Sequence, residues 1–243
     1  MKDINPDLVR EGAYYRKKLL LSMIIPGIFI FIMWMVRIIE VLFGLDFSEY
    51  GIYPLTLKGL EGIIFSPFIH ASFGHLFSNT VPLFFLSVAL FYFYSEVALK
   101  VFIWTFFLTG LLVWAGGREA WHIGASGVVY GLASFLFFSG IIRKHFRLIA
   151  LSLLIVFLYG SMVWGLFPGV YKHVSWESHM LGFFSGVLLA IIYRKQGPQA
   201  PVYEWLEQDD EDGSGEMPDE SEGNDDNQGS FSRTDDFFTQ NTG

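Results

Sequence analysis

Six apolar runs, each close to or above the roughly 18 residues needed to cross about 30 Å of hydrocarbon, leave this chain few folds to choose from. They fall at about 19–43, 75–94, 99–116, 125–142, 148–166 and 177–193. Within lipid every backbone N–H and C=O must be satisfied internally, so runs of this length are helices. The expected fold class is all-α, a polytopic membrane bundle of six transmembrane helices over residues 19–195, preceded by a short segment, 1–18. A 52% share of hydrophobic residues, 26 Phe and a mean hydropathy of +0.42 agree with a membrane protein. The first run is too long, and begins too late after Lys17-Lys18, for a signal peptide, and no small-residue cleavage site follows it.

Charge orients the bundle. Arg10, Arg16, Lys17, Lys18, Lys100, Arg143, Lys144, Arg147, Arg194 and Lys195 share one side if both termini are cytoplasmic, while Arg37, Lys58, Arg118 and Lys172 fall on or near the other. That is the positive-inside pattern. Arg37 and Glu40 lie near the outer end of the first run, where long side chains can reach the interface. The expected location is the plasma or inner membrane. The formal charge of −8 hides this bias, because residues 200–243 hold 14 of the 24 acidic residues against one base, Arg233. The tail is thus −13 and the rest +5.

In this orientation runs two, four and six all begin on the outer side, and each carries a chemically capable residue in its first turns: His75, Ser126 and His179. At 1.5 Å per residue the three can share one layer within roughly 10 Å of the outer interface. Polar groups in hydrocarbon are costly, and such a cluster points to function. Ser126 stands in Gly124-Ala125-Ser126-Gly127, where a polar stretch turns into a membrane helix. Small residues at helix interfaces and serines bonded back to the preceding turn offer a purely structural account of it. Gly124, however, lets backbone approach a substrate carbonyl, and the free amides of a helix N-terminus can donate to an oxyanion.

His179 is the candidate base, since imidazole titrates near working pH, although an interfacial histidine bonded to a carbonyl is the plainer alternative. Gly182 and Gly186, at i+3 and i+7, share its face and would let run six press against run four. Tyr130, at i+4 from Ser126, is placed to pack over the imidazole. His75 and Asn79, spaced i, i+4, project together as donors of the oxyanion type, or else as interhelical glue. His70 lies off that stripe and is supporting or structural. There are no cysteines and no His-Glu-x-x-His, and no second histidine falls one turn from any candidate, so a metal site is not expected. With no Asp in any run, and Glu177 two residues before His179 on another face, a Ser-His dyad fits better than a triad.

These residues resemble the rhomboid family of intramembrane serine proteases. The likeness covers roughly residues 50–190 and rests on Ser66–Asn79 with His70, His75 and Asn79, on Gly124-Ala125-Ser126-Gly127-Val128-Val129-Tyr130-Gly131-Leu132, and on Ser178-His179-Met180-Leu181-Gly182 with Gly186. The resemblance implies a six-helix bundle around a short fourth helix that cleaves substrate transmembrane helices near the outer membrane face. It makes Ser126 the nucleophile and His179 the base. His75, Asn79 and the backbone at Ser126 would stabilise the oxyanion, Gly124 would shape the loop beside it, and Tyr130 would stack on the histidine. Two departures stand out: the Trp-Arg pair frequent in the family's first outer loop is absent, and Ser178 replaces a common alanine.

The partners expected are single-span or multi-span membrane-protein substrates and the lipid bilayer, with no nucleic acid and no cofactor. Oligomeric state is open, since Phe-rich faces suit lipid as well as protein. From Gln196 onward Gly197-Pro198 and Pro201 break any helix, and the acidic run Glu207–Asp226 has too little apolar surface to offset its ordering entropy, so 196–243 is expected to be a disordered cytoplasmic tail. Two rival functions remain. One is a catalytically silent rhomboid-like protein that binds membrane helices; such members usually lack the serine or the histidine, and both are present here. The other is a small transporter using the histidines, against which stand the lack of internal repeats and the placement of the polar layer near one face.

Overall fold

A computed structural model describes residues 6–144, 146–158, 166–167 and 175–197. The acidic tail expected from the sequence lies outside the described residues. Among those described the fold is all-α, with seven α-helices: α1 Pro6–Phe43, α2 Leu57–Phe65, α3 Phe73–Phe93, α4 Ala98–Gly116, α5 Ser126–Ile142, α6 Phe146–Leu158 and α7 Trp176–Ile192. Three of them, α1, α3 and α4, are long and apolar enough to cross a membrane. At 17 residues, α5 and α7 are apolar but only about 26 Å long. Of the expected six spans, three correspond to helices of full crossing length among the described residues, and α5 and α7 are shorter apolar helices.

Where each apolar residue points separates lipid-facing from core helices. α1 exposes Leu21, Ile24, Ile28 and Phe31, and α4 exposes Trp104, Phe107 and Leu111. Apolar surface of this extent calls for lipid or another apolar face rather than water. Leu76, Leu83, Leu86 and Leu90 of α3 turn inward against Phe29 and Met33 of α1 and Leu132, Phe135 and Leu136 of α5. α5 is buried along most of its length. Enclosed by protein, it need not match the bilayer thickness, and its N-terminus can begin below the membrane surface.

Three features depart from expectation. α1 starts at Pro6, well before residue 19, and runs through the basic segment that the sequence set apart as 1–18. Proline suits a first helical turn because its missing N–H would have no partner there. Glu40 does not reach toward the interface. It is buried, and accepts hydrogen bonds from Arg37 Nη1 (3.1 Å) and from the Phe47 amide (3.0 Å), folding the chain back after α1. The connection 44–72 also contains a helix. α2 is capped by Thr56, whose hydroxyl accepts from the Gly59 amide at 3.1 Å. Trp114 Nε1 donates to the Thr56 carbonyl (2.8 Å), the Leu55 amide donates to the Trp114 carbonyl (3.0 Å), and Ile52 and His122 exchange backbone bonds. These ties to α4 and to the α4–α5 connection hold the 44–72 segment, which lacks the Trp-Arg pair.

The decisive packing is α5 on α7. A Cβ on Gly182 would overlap the Gly127 carbonyl, and one on Gly186 would overlap that of Gly131. Ser134 Oγ donates across the pair to the Phe183 carbonyl at 2.8 Å. Lower down, the buried Arg143 at the end of α5 donates to the Tyr193 carbonyl (2.5 Å) and to that of Gln196, fastening the C-terminus of α7. Gly186→Val is expected to cost at least about 1–3 kcal/mol by overpacking, read as a lowered midpoint in equilibrium denaturation in detergent micelles. A midpoint equal to that of the native protein would show that the two backbones are not in contact.

Candidate active site

Ser126 is the first residue of α5, and the turn before it is shaped by Gly124, at φ +103°. L-residues with a side chain rarely adopt that conformation. Space makes a second demand: a Cβ on Gly124 would lie 2.8 Å from His75 Cε1, 2.9 Å from His75 Nε2 and 3.6 Å from Asn79 Nδ2. The Gly124 amide donates to the Ser66 carbonyl at 2.8 Å, so this residue contributes room and chain direction while its N–H is already engaged. The opening amides of α5 have no carbonyl within their own helix and point out of its N-terminus.

His179 stands in the first turns of α7, which Ser175 caps by accepting from the Ser178 amide at 3.3 Å. The glycine contact below brings the helices close enough for His179 Nε2 to reach Ser126 Oγ at 2.8 Å, a hydrogen bond between residues 53 apart in the chain. Tyr130, one turn below Ser126, stacks on the imidazole with ring centroids 4.2 Å apart and planes 14° from parallel. The ring is thus held by a hydrogen bond at one edge and by an aromatic face.

The third element is α3. Ser72 caps it by accepting from the His75 amide (3.1 Å), and Asn79 Nδ2 donates to the His75 carbonyl (3.2 Å). His75 and Asn79 both lie beside Gly124. His75, Ser126 and His179 line one cavity of about 530 Å³, together with Ser78, Arg118 and Trp121. His75, Ser126 and His179 thus meet around this space, while Asn79 lies beside Gly124 and Tyr130 behind the imidazole, outside the cavity wall. Among the described residues no three His, Asp or Glu side chains gather as metal ligands would. Glu177 pairs with Arg118 Nε at 3.4 Å through one carboxylate oxygen, and its other oxygen lies 3.5 Å from Ser175 Oγ.

His70 sits behind the cavity. It is 1% exposed, its Nδ1 lies 3.3 Å from the Phe68 carbonyl, and its ring meets that of His75 edge-on at 5.0 Å. Burial, with the neighbouring His75 and Arg37 adding to it against the Phe68 carbonyl, holds its pKa down at about 3, from an ordinary 6.5. Sequence reasoning missed His122 and Ser175. His122 is 2% exposed, with Nδ1 2.5 Å from Ser175 Oγ and Nε2 3.0 Å from the Arg118 carbonyl. No local pattern marks either residue, because the contact joins segments 53 residues apart.

The arrangement supplies a hydroxyl whose proton has an acceptor at hydrogen-bond distance, an oriented imidazole, and donors converging beside the hydroxyl, which are the parts of a hydrolytic site. A Rhomboid domain model matches residues 58–196. An uncharacterized protein of Mycobacterium tuberculosis (Rv1337) and one of Mycobacterium bovis (Mb1372) are each 33% identical over 179 residues, covering 68% of this chain and 72% of theirs. An uncharacterized protein of Mycobacterium leprae (ML1171) is 31% identical over 180 residues, covering 68% of both chains. The chain belongs to the rhomboid family and is an integral membrane protein.

The buried histidine makes stability depend on pH. An unfolded His70 takes up a proton near pH 6.5, whereas the folded one stays neutral down to about 3. Its neutral burial is therefore uncompromised above pH 6.5, and stability falls as pH drops from there toward 3, by about 1.4 kcal/mol per unit. Denaturation midpoints in detergent between pH 7.5 and 5 should decline with acidification, and His70→Gln should flatten that slope by about one proton. An equal slope in the variant would count against a neutral His70.

Proposed function

We propose that this protein is an intramembrane serine endopeptidase that cleaves transmembrane helices of single-span or multi-span membrane proteins near the outer membrane face. The observation that carries this is the 2.8 Å contact of His179 Nε2 with Ser126 Oγ, under the stacked ring of Tyr130 and open to the cavity. Membership of the rhomboid family supports it.

The chemistry follows from the roles available. Ser126 Oγ attacks the scissile carbonyl while His179 Nε2 accepts its proton. The carbonyl oxygen, now an oxyanion, is met by the imidazole of His75, the amide of Asn79 and the opening N–H groups of α5. Collapse expels the amine, which takes its proton from His179, and leaves an acyl-serine. Water entering from the cavity, deprotonated by His179, releases the second product and restores the hydroxyl. Tyr130 keeps the imidazole facing Ser126 throughout. A rhomboid-like protein that only binds helices would have no use for the Ser126–His179 contact.

Ser126→Ala, His179→Ala and the double variant are expected to be equally inactive, because groups that act as one unit lose nearly everything when either is removed. His75→Ala and Asn79→Ala should lower turnover about 10- to 1000-fold with little change in KM. Cleavage of a single-span substrate by purified protein in liposomes, with folding checked by thermal unfolding, measures all of these. Substantial cleavage by folded Ser126→Ala would end the proposal.

Topology enters the same proposal. Six spans with both termini cytoplasmic, in the plasma or inner membrane, place His75, Ser126 and His179 toward the outer face by charge bias. A substrate helix must unwind there to present a carbonyl, so Gly or Pro near its outer boundary, which weaken a helix by about 1–3 kcal/mol, should favour cleavage. Removing residues 200–243 should leave turnover unchanged. Product ends mapped by mass spectrometry, for full-length and truncated enzyme in liposomes, decide both points. Cuts at the cytoplasmic boundary would overturn the orientation, and lost turnover in a well-folded truncation would give the tail a role.

A further inference from the structure

His122 takes no part in the chemistry proposed above, yet it ties three separate pieces of chain together. Its backbone pairs with Ile52 of the outer connection, the amide donating to the Ile52 carbonyl at 2.8 Å and the carbonyl accepting from the Ile52 amide at 3.0 Å. Its Nε2 lies 3.0 Å from the Arg118 carbonyl, beyond the end of α4, and its Nδ1 lies 2.5 Å from Ser175 Oγ, the cap of α7. A carbonyl only accepts, so Nε2 carries the proton and Nδ1 of the neutral ring is an acceptor; Ser175, 2.5 Å from Nδ1 but 3.5 Å from the Glu177 carboxylate, gives its single proton to Nδ1. Burial pushes the His122 pKa down, with the charge of Arg118 adding to this and the Arg118 carbonyl and Glu177 opposing it, in keeping with a neutral ring.

Ser175, having donated its proton, still accepts from the Ser178 amide at 3.3 Å and lies 2.8 Å from Ser178 Oγ. Its carbonyl accepts from the His179 amide at 3.4 Å. Two bonds therefore link His122 to the backbone of His179. On the other side, covalent chain leads from His122 through Gly124 to Ser126 in four residues. The glycine contact lower on α5 and α7 sets how closely the helices approach, and the His122–Ser175 bond seats the first turn of α7 against the segment leading into Ser126.

We propose that His122 is a positioning residue: through Ser175 it fixes where the first turn of α7, and with it the imidazole of His179, stands relative to Ser126. The role rests on Ser126 and His179 acting as the dyad proposed above. Reacting groups displaced by about 1 Å can lose about 100-fold in rate, so a bond that seats one helix turn bears directly on turnover.

Three substitutions in the full-length protein separate seating from mere filling of space. His122→Asn keeps an acceptor near the place of Nδ1, so Ser175 retains its partner. His122→Gln reaches toward the Arg118 carbonyl but leaves Ser175 without that acceptor. His122→Phe fills the space and bonds to neither. The readouts are hydrogen exchange at the Ser178 and His179 amides, the rate of Ser126 labelling by a fluorophosphonate, kcat and KM on a single-span substrate in liposomes, and the unfolding midpoint.

His122→Phe and His122→Gln are expected to speed that exchange about tenfold. They should also slow labelling and kcat by up to about 100-fold while KM stays within about twofold. His122→Asn should restore both exchange and rate to within about threefold of native, even where its midpoint is lowered. Equal behaviour of the Asn and Gln variants, or losses in all three that simply follow the midpoint, would overturn the positioning role. If the native protein is folded but neither labels nor cleaves, while exchange follows the expected pattern, the protease proposal fails and the His122–Ser175 seat of α7 stands.

Discussion

Everything around Ser126 depends on two helices touching backbone to backbone. Where α5 and α7 cross, the Gly127 and Gly131 carbonyls lie where side chains on Gly182 and Gly186 would otherwise be. Lipid tails give no hydrophobic reason for apolar helices to leave them, so association has to come from close packing and from bonds such as Ser134 Oγ to the Phe183 carbonyl. Only this approach lets an imidazole on one helix reach a hydroxyl on the other at 2.8 Å. Thr109 and Thr105 of α4 crowd the same two glycines of α5, so a third helix closes on the pair at this point.

A polar site inside a membrane needs both a route for water and a means of satisfying its own buried groups. Enclosure by other helices lets α5 be short and begin beneath the surface, which leaves the cavity above Ser126. The walls are bonded locally: Ser72 caps α3, Ser175 caps α7, and Gly124 is tied to Ser66. The 44–72 connection closes the rim through the backbone pairing of Ile52 with His122 and the contacts of Thr56 and Leu55 with Trp114. Arg118 and Glu177 add an ion pair between that rim and α7, with Arg118 half exposed and Glu177 buried. The uncharacterized mycobacterial relatives name no activity, so the chemistry proposed for this chain stands on its own geometry and its family.

Much of this was legible one residue at a time. Long apolar runs mark helices because lipid leaves the backbone no alternative, and the starts of α3, α4, α5 and α7 fall within about two residues of the runs that announced them. Ser126, His179, His75 and Asn79 could be picked out because polar groups at matching depth in three apolar runs are conspicuous. Tyr130 and the glycines followed from helical spacing. The nine residues of α2 were not legible, being too few to form a span and placed in a loop whose order comes from contacts with α4. Nor was the inward turn of Glu40, which is set by the Phe47 amide after the helix ends.

By itself, then, the sequence determined an all-α membrane protein, the face on which its polar residues gather and the residue types available there, because hydropathy and helical period are properties of neighbouring positions. Tertiary structure decided what those residues do to one another. Whether Nε2 of His179 meets Oγ of Ser126, whether the Gly124 amide is spent on Ser66, and whether His122 finds Ser175 all depend on segments far apart in the chain. The reason is physical: a hydrogen bond is made or lost within a few tenths of an ångström, and only the packing of whole helices fixes distances so finely.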